Sequence, residues 1–354
     1  MKILYSILLK EGGKAAESVL NKLQQYYQGK ELKVIKIPQN SLKIVFDKYI
    51  QPILDELIQN NFIEPSYKTD FSLGSTRLAA YIAGRSPRLL KSETPEIISK
   101  AIQTKKTFGD LDVDIKLKEG VSITDIGEYL EEKYPHLYAY RKVGNSEISL
   151  AVVMDDLSVI QIDLVDVSEN EESIKFMQSS SIIDISEGVK GYAQKMLLAS
   201  VLSVKKLLPE HKKIVDVFMK KHPDFQKAVK LGYSPILNHN QEIGRYSLSP
   251  NFEIYIVIDM KKPGVKTKKK LKTTDTPVFK FSNSEQLAKF IFPDIDYETL
   301  YSFVSLLNFI KTKFTKIELE AIKNSLIQRM DEQKSSLSPE DVEKIINITN
   351  RILG

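Results

Sequence analysis

Phe108-Gly-Asp110-Leu-Asp112-Val-Asp114-Ile-Lys116-Leu117 alternates strictly, from Asp110 on, between charged and apolar residues. Successive side chains of a strand point to opposite faces, so Leu111, Val113, Ile115 and Leu117 share one face and Asp110, Asp112, Asp114 and Lys116 the other. Downstream, residues 148–154 and 158–167 read as two further strands, with Asp155-Asp156-Leu157 as the hairpin turn between them. Upstream, Thr94-Pro95-Glu96 is a helix start with proline at the first helical position, leading to about Thr104. A capped helix runs from Ser122 to about Tyr134. Helices interleaved with a hairpin predict an α+β fold, a mixed sheet with flanking helices, rather than a doubly wound sheet.

Outside this core the chain changes character. Residues 1–65 read as an N-terminal helical region, clearest over 41–60, with Ser41 as N-cap, Asn60-Asn61 as stop and Pro52 as an expected kink or break. The core spans 66–208 and ends in a helix over 188–208. Residues 209–282 form an accessory region with strands near 254–260 and 276–281. Between those strands lies Lys261-Lys-Pro-Gly-Val-Lys-Thr-Lys-Lys-Lys-Leu-Lys272, the densest charge run, read as a hairpin. Residues 283–354 read as helical, with Leu337-Ser-Pro-Glu-Asp341 as a capped start.

Composition narrows the chemistry. The 354 residues allow two or three domains, and the net charge of +5 is too small to establish a nucleic-acid partner by itself. Absence of cysteine excludes disulfides, thiolate zinc sites and cysteine nucleophiles. The four histidines, His136, His211, His222 and His239, lack metal-ligand spacing, so an expected metal is a hard cation on carboxylate oxygens, magnesium or manganese. No apolar run reaches the roughly 20 residues that span a bilayer. The stretch from Met1 to Lys10 reads as a buried element rather than a targeting signal, which predicts a cytoplasmic protein without a membrane partner.

Carboxylates on one strand face repel each other, and burying them unpaired is costly unless a cation joins them. Two divalent ions clamped there can hold the attacking and leaving oxygens of a phosphoryl displacement. Such a clamp asks for a third carboxylate from a neighbouring strand, and Asp163 interrupts an otherwise apolar strand. Upstream, Leu73-Gly74-Ser75-Thr76-Arg77 joins a glycine and a hydroxyl at a turn whose amides suit phosphate, with Arg77 as an added charge. Lys266, Lys268, Lys269 and Lys270 of the basic run suit a nucleic-acid backbone.

Leu73-Gly-Ser75, then Gly109-Asp-Leu-Asp-Val113, then Ile162-Asp163-Leu164, together resemble the DNA polymerase beta-like nucleotidyltransferase superfamily, over residues 70 to 205. The resemblance implies that Asp110 and Asp112 hold two Mg²⁺ or Mn²⁺ ions, that Asp163 helps to activate the attacking hydroxyl, and that Gly74 and Ser75 hold the phosphates of an NTP. Lys190 or Lys195 would reach those phosphates from the following helix. The family spaces its Gly-Ser and Asp pair more closely, and the helix over 95–104 reads as an insertion. Asp112-Val-Asp114 also fits the pattern, so Asp114 is an alternative to Asp110, although Gly109 favours the first register.

The expected activity is transfer of a nucleoside monophosphate from an NTP to a hydroxyl, releasing pyrophosphate, of the template-independent or terminal type. An RNA or DNA 3′ end is the expected acceptor. Alternatives are nucleotidylylation of a protein or small molecule, and an inactive nucleotidyltransferase fold that binds nucleic acid. The base added and the oligomeric state stay open.

Overall fold

The structure, a computed structural model, describes residues 14–65, 71, 74–169, 171–178, 181–189, 191–249, 251–265, 268–332 and 338–354. The chain divides into two compact units, residues 1–192 and 193–354. The fold is α+β, with a mixed sheet in the first unit.

In the first unit, helix α1 (Lys14–Gln24) leads to short strands β1 (Lys33–Val34) and β2 (Ile37–Pro38). An almost unbroken helical run follows: a 3₁₀ turn over Gln39–Ser41, α2 (Leu42–Val45), a π-turn over Phe46–Ile50 and α3 (Gln51–Gln59). Helical backbone continues through Pro52, with the π-turn just ahead of it, so no break occurs there. Proline sits in the first turn of α3, where its missing N–H costs little. Ser41 makes no side-chain cap, and the run starts two residues before it. Asn61 takes φ +61° at the expected stop.

Next come α4 (Thr76–Ile82), α5 (Pro95–Thr104), β3 (Thr107–Phe108), β4 (Leu111–Ile115) and α6 (Ile123–Lys133). Ser122 and Asp125 close a reciprocal capping box on α6. β5 (Tyr138–Lys142), β6 (Glu147–Val153) and β7 (Ser158–Asp166) complete the sheet. β6 and β7 form the expected hairpin, with Leu157 at φ +67° in the turn. β7 is central: β6 pairs with it antiparallel, while β1 and β4 both pair with it parallel. β5 lies outside β6, and β2 and β3 form a separate two-stranded ladder. The first unit closes with α7 (Glu171–Gln178) and α8 (Ile182–Ser186).

The two sheet faces carry different chemistry. One face, with Leu111, Val113, Ile148, Leu150, Ile160, Ile162 and Leu164, merges with the α2–α3 run and α6 into the main core. The other face is apolar only at its ends. Ala139, Ala151, Val153 and Val159 receive Ala16, Val19 and Leu23 of α1 at one end, and Val165 lies with Val167 and Ile174 at the other. Small residues at the α1 contact let the helix approach the sheet. Between those ends runs a strip of polar side chains.

The second unit begins within α9 (Tyr192–Val204), followed by α10 (Pro209–Lys221) and α11 (Pro223–Lys230). Its small sheet is built on β10 (Glu253–Lys261), which pairs antiparallel with β8 (Ser234–Pro235), β9 (Arg245–Leu248), β11 (Lys269–Lys272) and β12 (Phe279–Lys280). Helices α12 (Ser284–Ile291), α13 (Phe303–Lys313), α14 (Lys316–Glu332) and α15 (Pro339–Leu353) follow, as the sequence predicts. The basic run is less of a loop than it reads: Lys269–Lys272 belong to a strand. Among the described residues no helix is long and apolar enough to cross a membrane.

Candidate active site

Asp112 of β4 and Asp163 of β7 are directly registered partners on parallel strands. Adjacent strands lie about 4.8 Å apart, so these side chains leave one face side by side. Ser149 of β6 is registered with Asp163, and its hydroxyl hydrogen-bonds that carboxylate. Glu147, two residues before Ser149, projects from the same face. The polar strip therefore holds Asp112, Asp163 and Ser149, with Glu147 registered with Val165 at one end of it and Asp110 just ahead of β4.

Electrostatics describes the same cluster. Burial pushes the Asp112 carboxyl well above the usual carboxylate range, and the charges of Asp110 and Glu147 push it further, against a smaller opposing pull from Lys105. Asp163 is raised by burial first, then by Asp110, Glu147 and Asp112. Asp163 is only 6% exposed. Four carboxylates thus press on one another in a place where water screens them poorly.

Asp163 is also held in place. Gln161 Nε2 donates to both oxygens of Asp163 at 2.9 and 3.0 Å. Gln161 Oε1 accepts from the Ala16 N–H at 3.2 Å, which fixes the amide's orientation and ties the carboxylate to α1. The edge of β4 has its own partner: Asp112 N–H donates to Thr76 Oγ1 at 2.7 Å. Thr76 opens α4 straight after Gly74-Ser75, and Gly74 takes φ +49°, a left-handed conformation that favours glycine. The structure so brings Thr76, directly after the Gly-Ser pair and 36 residues upstream in sequence, to the backbone of Asp112.

Asp114 is fully buried, one pleat beyond Asp112 and registered with Val165. Arg77 is 4% exposed and ion-paired with Glu93, whose carboxylate also accepts from Leu90 N–H at 2.9 Å and Ile182 N–H at 2.7 Å. Burial of this arginine is thereby explained by its pairing. Lys195 lies half-buried on α9 in the second unit. Lys268, Lys269 and Lys270 lie at and within β11. Leu73, Lys190 and Lys266 fall outside the described residues.

Residues that the sequence reading did not single out complete the site: Thr76, Glu147, Ser149, Gln161 and Lys105. Gln161 was visible in principle, as a polar residue two positions before Asp163 in an apolar strand. Glu147 and Ser149 alternate with Ile148 and Leu150, yet only pairing register brings them to Asp163. Nothing local marks Lys105.

Among the described residues no three histidine or acidic side chains already converge as a metal-ligand set. Donor chemistry still fits a hard divalent cation. Asp112 and Asp163 are adjacent oxygen donors whose mutual repulsion a cation would relieve, and Asp110 stands beside both. The cost of the ionised cluster predicts a pH effect on the metal-free protein. A carboxyl raised above its unfolded value keeps its proton longer in the fold, so ionised Asp163 lowers stability as pH rises through that window. Asp163→Asn in EDTA is expected to be more stable than wild type by about 1–2 kcal/mol at pH 8, with a smaller difference at pH 5. Thermal melts at both pH values measure it; a variant less stable at pH 8 would mean that the charge is already compensated.

In comparisons with known proteins, no family model, no curated protein and no solved structure matches the chain.

Proposed function

We propose that the first unit is a nucleotidyltransferase, which transfers a nucleoside monophosphate from an NTP to a hydroxyl, with an RNA or DNA 3′ end as the acceptor. The observation that carries this reading is the registered Asp112–Asp163 pair, its carboxyls raised by burial and then by Asp110 and Glu147, with Thr76 after the Gly74-Ser75 turn bonded to Asp112's amide. These residues belong to the three motifs of the resemblance.

In the reaction the acceptor oxygen forms a bond to the α-phosphorus, the bond to the β-phosphate oxygen breaks, and pyrophosphate leaves. Asp110 and Asp112 would hold two Mg²⁺ or Mn²⁺ ions with Asp163, supplying charge neutralisation at the phosphates. Asp163 would accept the acceptor hydroxyl's proton, since a carboxylate with a raised pKa is a better base. Gln161 holds both its oxygens and so limits its rotation. Gly74 and Ser75 offer a turn beside Asp112 for phosphate oxygens.

The test is incubation of the full chain with each labelled NTP, Mg²⁺ or Mn²⁺, and RNA, DNA or protein acceptors. Label on an oligonucleotide 3′ end supports the reading. Label on protein moves the acceptor class, and no label with any nucleotide removes the proposal.

A further inference from the structure

β10 of the second unit has two unlike faces. Ile254, Ile256, Ile258 and Met260 are fully buried on one. Directly registered strand neighbours share a face, so the other face gathers Tyr255, Val257 and Asp259 with Arg245 of β9 and Lys270 and Lys272 of β11. Lys280 of β12 joins it opposite Glu253. Lys270, Lys272 and Lys280 are exposed. Arg245 holds Asp259 through two bonds, at 2.6 and 3.1 Å. Burial alone would raise the Asp259 carboxyl, but Arg245, Lys270 and Lys268 outweigh it and hold it low. Asp259 is thus committed within the sheet, and the lysines set the sign of the surface field.

We propose that this sheet face binds single-stranded nucleic acid, with the lysine row of β11 on backbone phosphates and a base stacked on Tyr255; the inference rests on the nucleic-acid acceptor read above. Lys270 and Lys272 are about 6.8 Å apart along the strand, a spacing that suits a linear, extended backbone. Lys272 Nζ lies 3.6 Å from the centre of the Tyr255 ring. That ammonium covers a ring face, and swinging it to a phosphate would bare the ring for a base. A sheet with an aromatic platform amid basic side chains is a physical solution for unstacked bases, which have both a π-face and a charged backbone. Duplex DNA asks instead for an element that enters a groove. A membrane surface asks for an apolar edge among the lysines, and among the described residues of β8 to β12 on this face Tyr255 is the large ring.

Anisotropy of labelled 15-mer oligouridine RNA with the full chain tests this, beside an RNA hairpin duplex and phosphatidylserine vesicles. Single strands are expected to bind at least tenfold more tightly than the duplex. Tyr255→Leu, which keeps bulk without the π-face, is expected to weaken binding roughly five- to a hundredfold while leaving the salt slope intact. Lys270→Gln with Lys272→Gln is expected to weaken binding and to flatten the log–log salt slope by about 1.4. Tyr255→Phe, the milder change, should bind as wild type does. Equal binding of duplex, preference for vesicles, or lysine and leucine variants that bind normally would each overturn the proposal. Binding without nucleotide transfer leaves this inference standing and removes the catalytic one. Transfer with an unchanged oligonucleotide KM in the lysine variant does the reverse.

Discussion

Asp112→Asn is expected to cut nucleotidyl transfer by about a thousandfold or more without unfolding the protein. The reason is geometric and electrostatic at once. Asp112 stands in register with Asp163 on the adjacent parallel strand, and it feels Asp110, Glu147 and Lys105. Removing its charge removes a donor at the centre of the cluster, and a metal-held charge of this kind is worth several kcal/mol at the transition state. At about 1.36 kcal/mol per decade, that is three decades or so in rate. Folding should not suffer, because the substitution also removes a repulsive half-buried charge. Asp163→Asn should behave likewise. Gln161→Leu should lose less, about ten- to a hundredfold, since it orients a donor without being one. Initial rates with labelled NTP and oligonucleotide, read beside melting curves, check all three. Full activity in Asp112→Asn would place the chemistry elsewhere.

Arg77→Met is expected to destabilise the first unit by about 3–5 kcal/mol. For a unit of this size that corresponds to a fall in Tm of roughly 6–20 °C. Glu93 is fully buried, and its carboxylate binds Arg77 and the amides of Leu90 and Ile182. Without the guanidinium a buried negative charge remains with only neutral donors. Adding Glu93→Met should recover part of the loss by removing the orphaned charge, and only part, because the two amides lose their acceptor. Calorimetry of the single and double variants measures both. A stable Arg77→Met protein whose KM for NTP alone rises would assign the arginine to the nucleotide instead.

Much of the fold was legible because the sheet has two faces of unlike chemistry. The alternation in β4 and Asp163 amid the apolar residues of β7 mark both strands without any knowledge of their pairing. Strands β1, β2 and β3 are two residues each, too short for any period to show. β11 was hidden for another reason. Its only apolar residue is Leu271, so the charge of the run drowned the strand signal. The candidate site was half legible. Asp112 and Asp163 follow from acid in an apolar strand, but Glu147, Ser149 and Gln161 become neighbours only through the β6–β7 register. Thr76 needed a contact 36 residues away in sequence. Arg77 shows the opposite effect: position beside Gly-Ser suggests phosphate, while burial against Glu93 accounts for its charge.

Mn²⁺ titration followed by the electron paramagnetic resonance signal of the free ion bears on the acidic face most directly. Wild type should take up Mn²⁺, more tightly when ATP is present, and Asp112→Asn or Asp163→Asn should weaken uptake at least tenfold. A wild-type protein that leaves Mn²⁺ free with and without nucleotide, or variants that bind it equally well, would show that these carboxylates do not form a metal site.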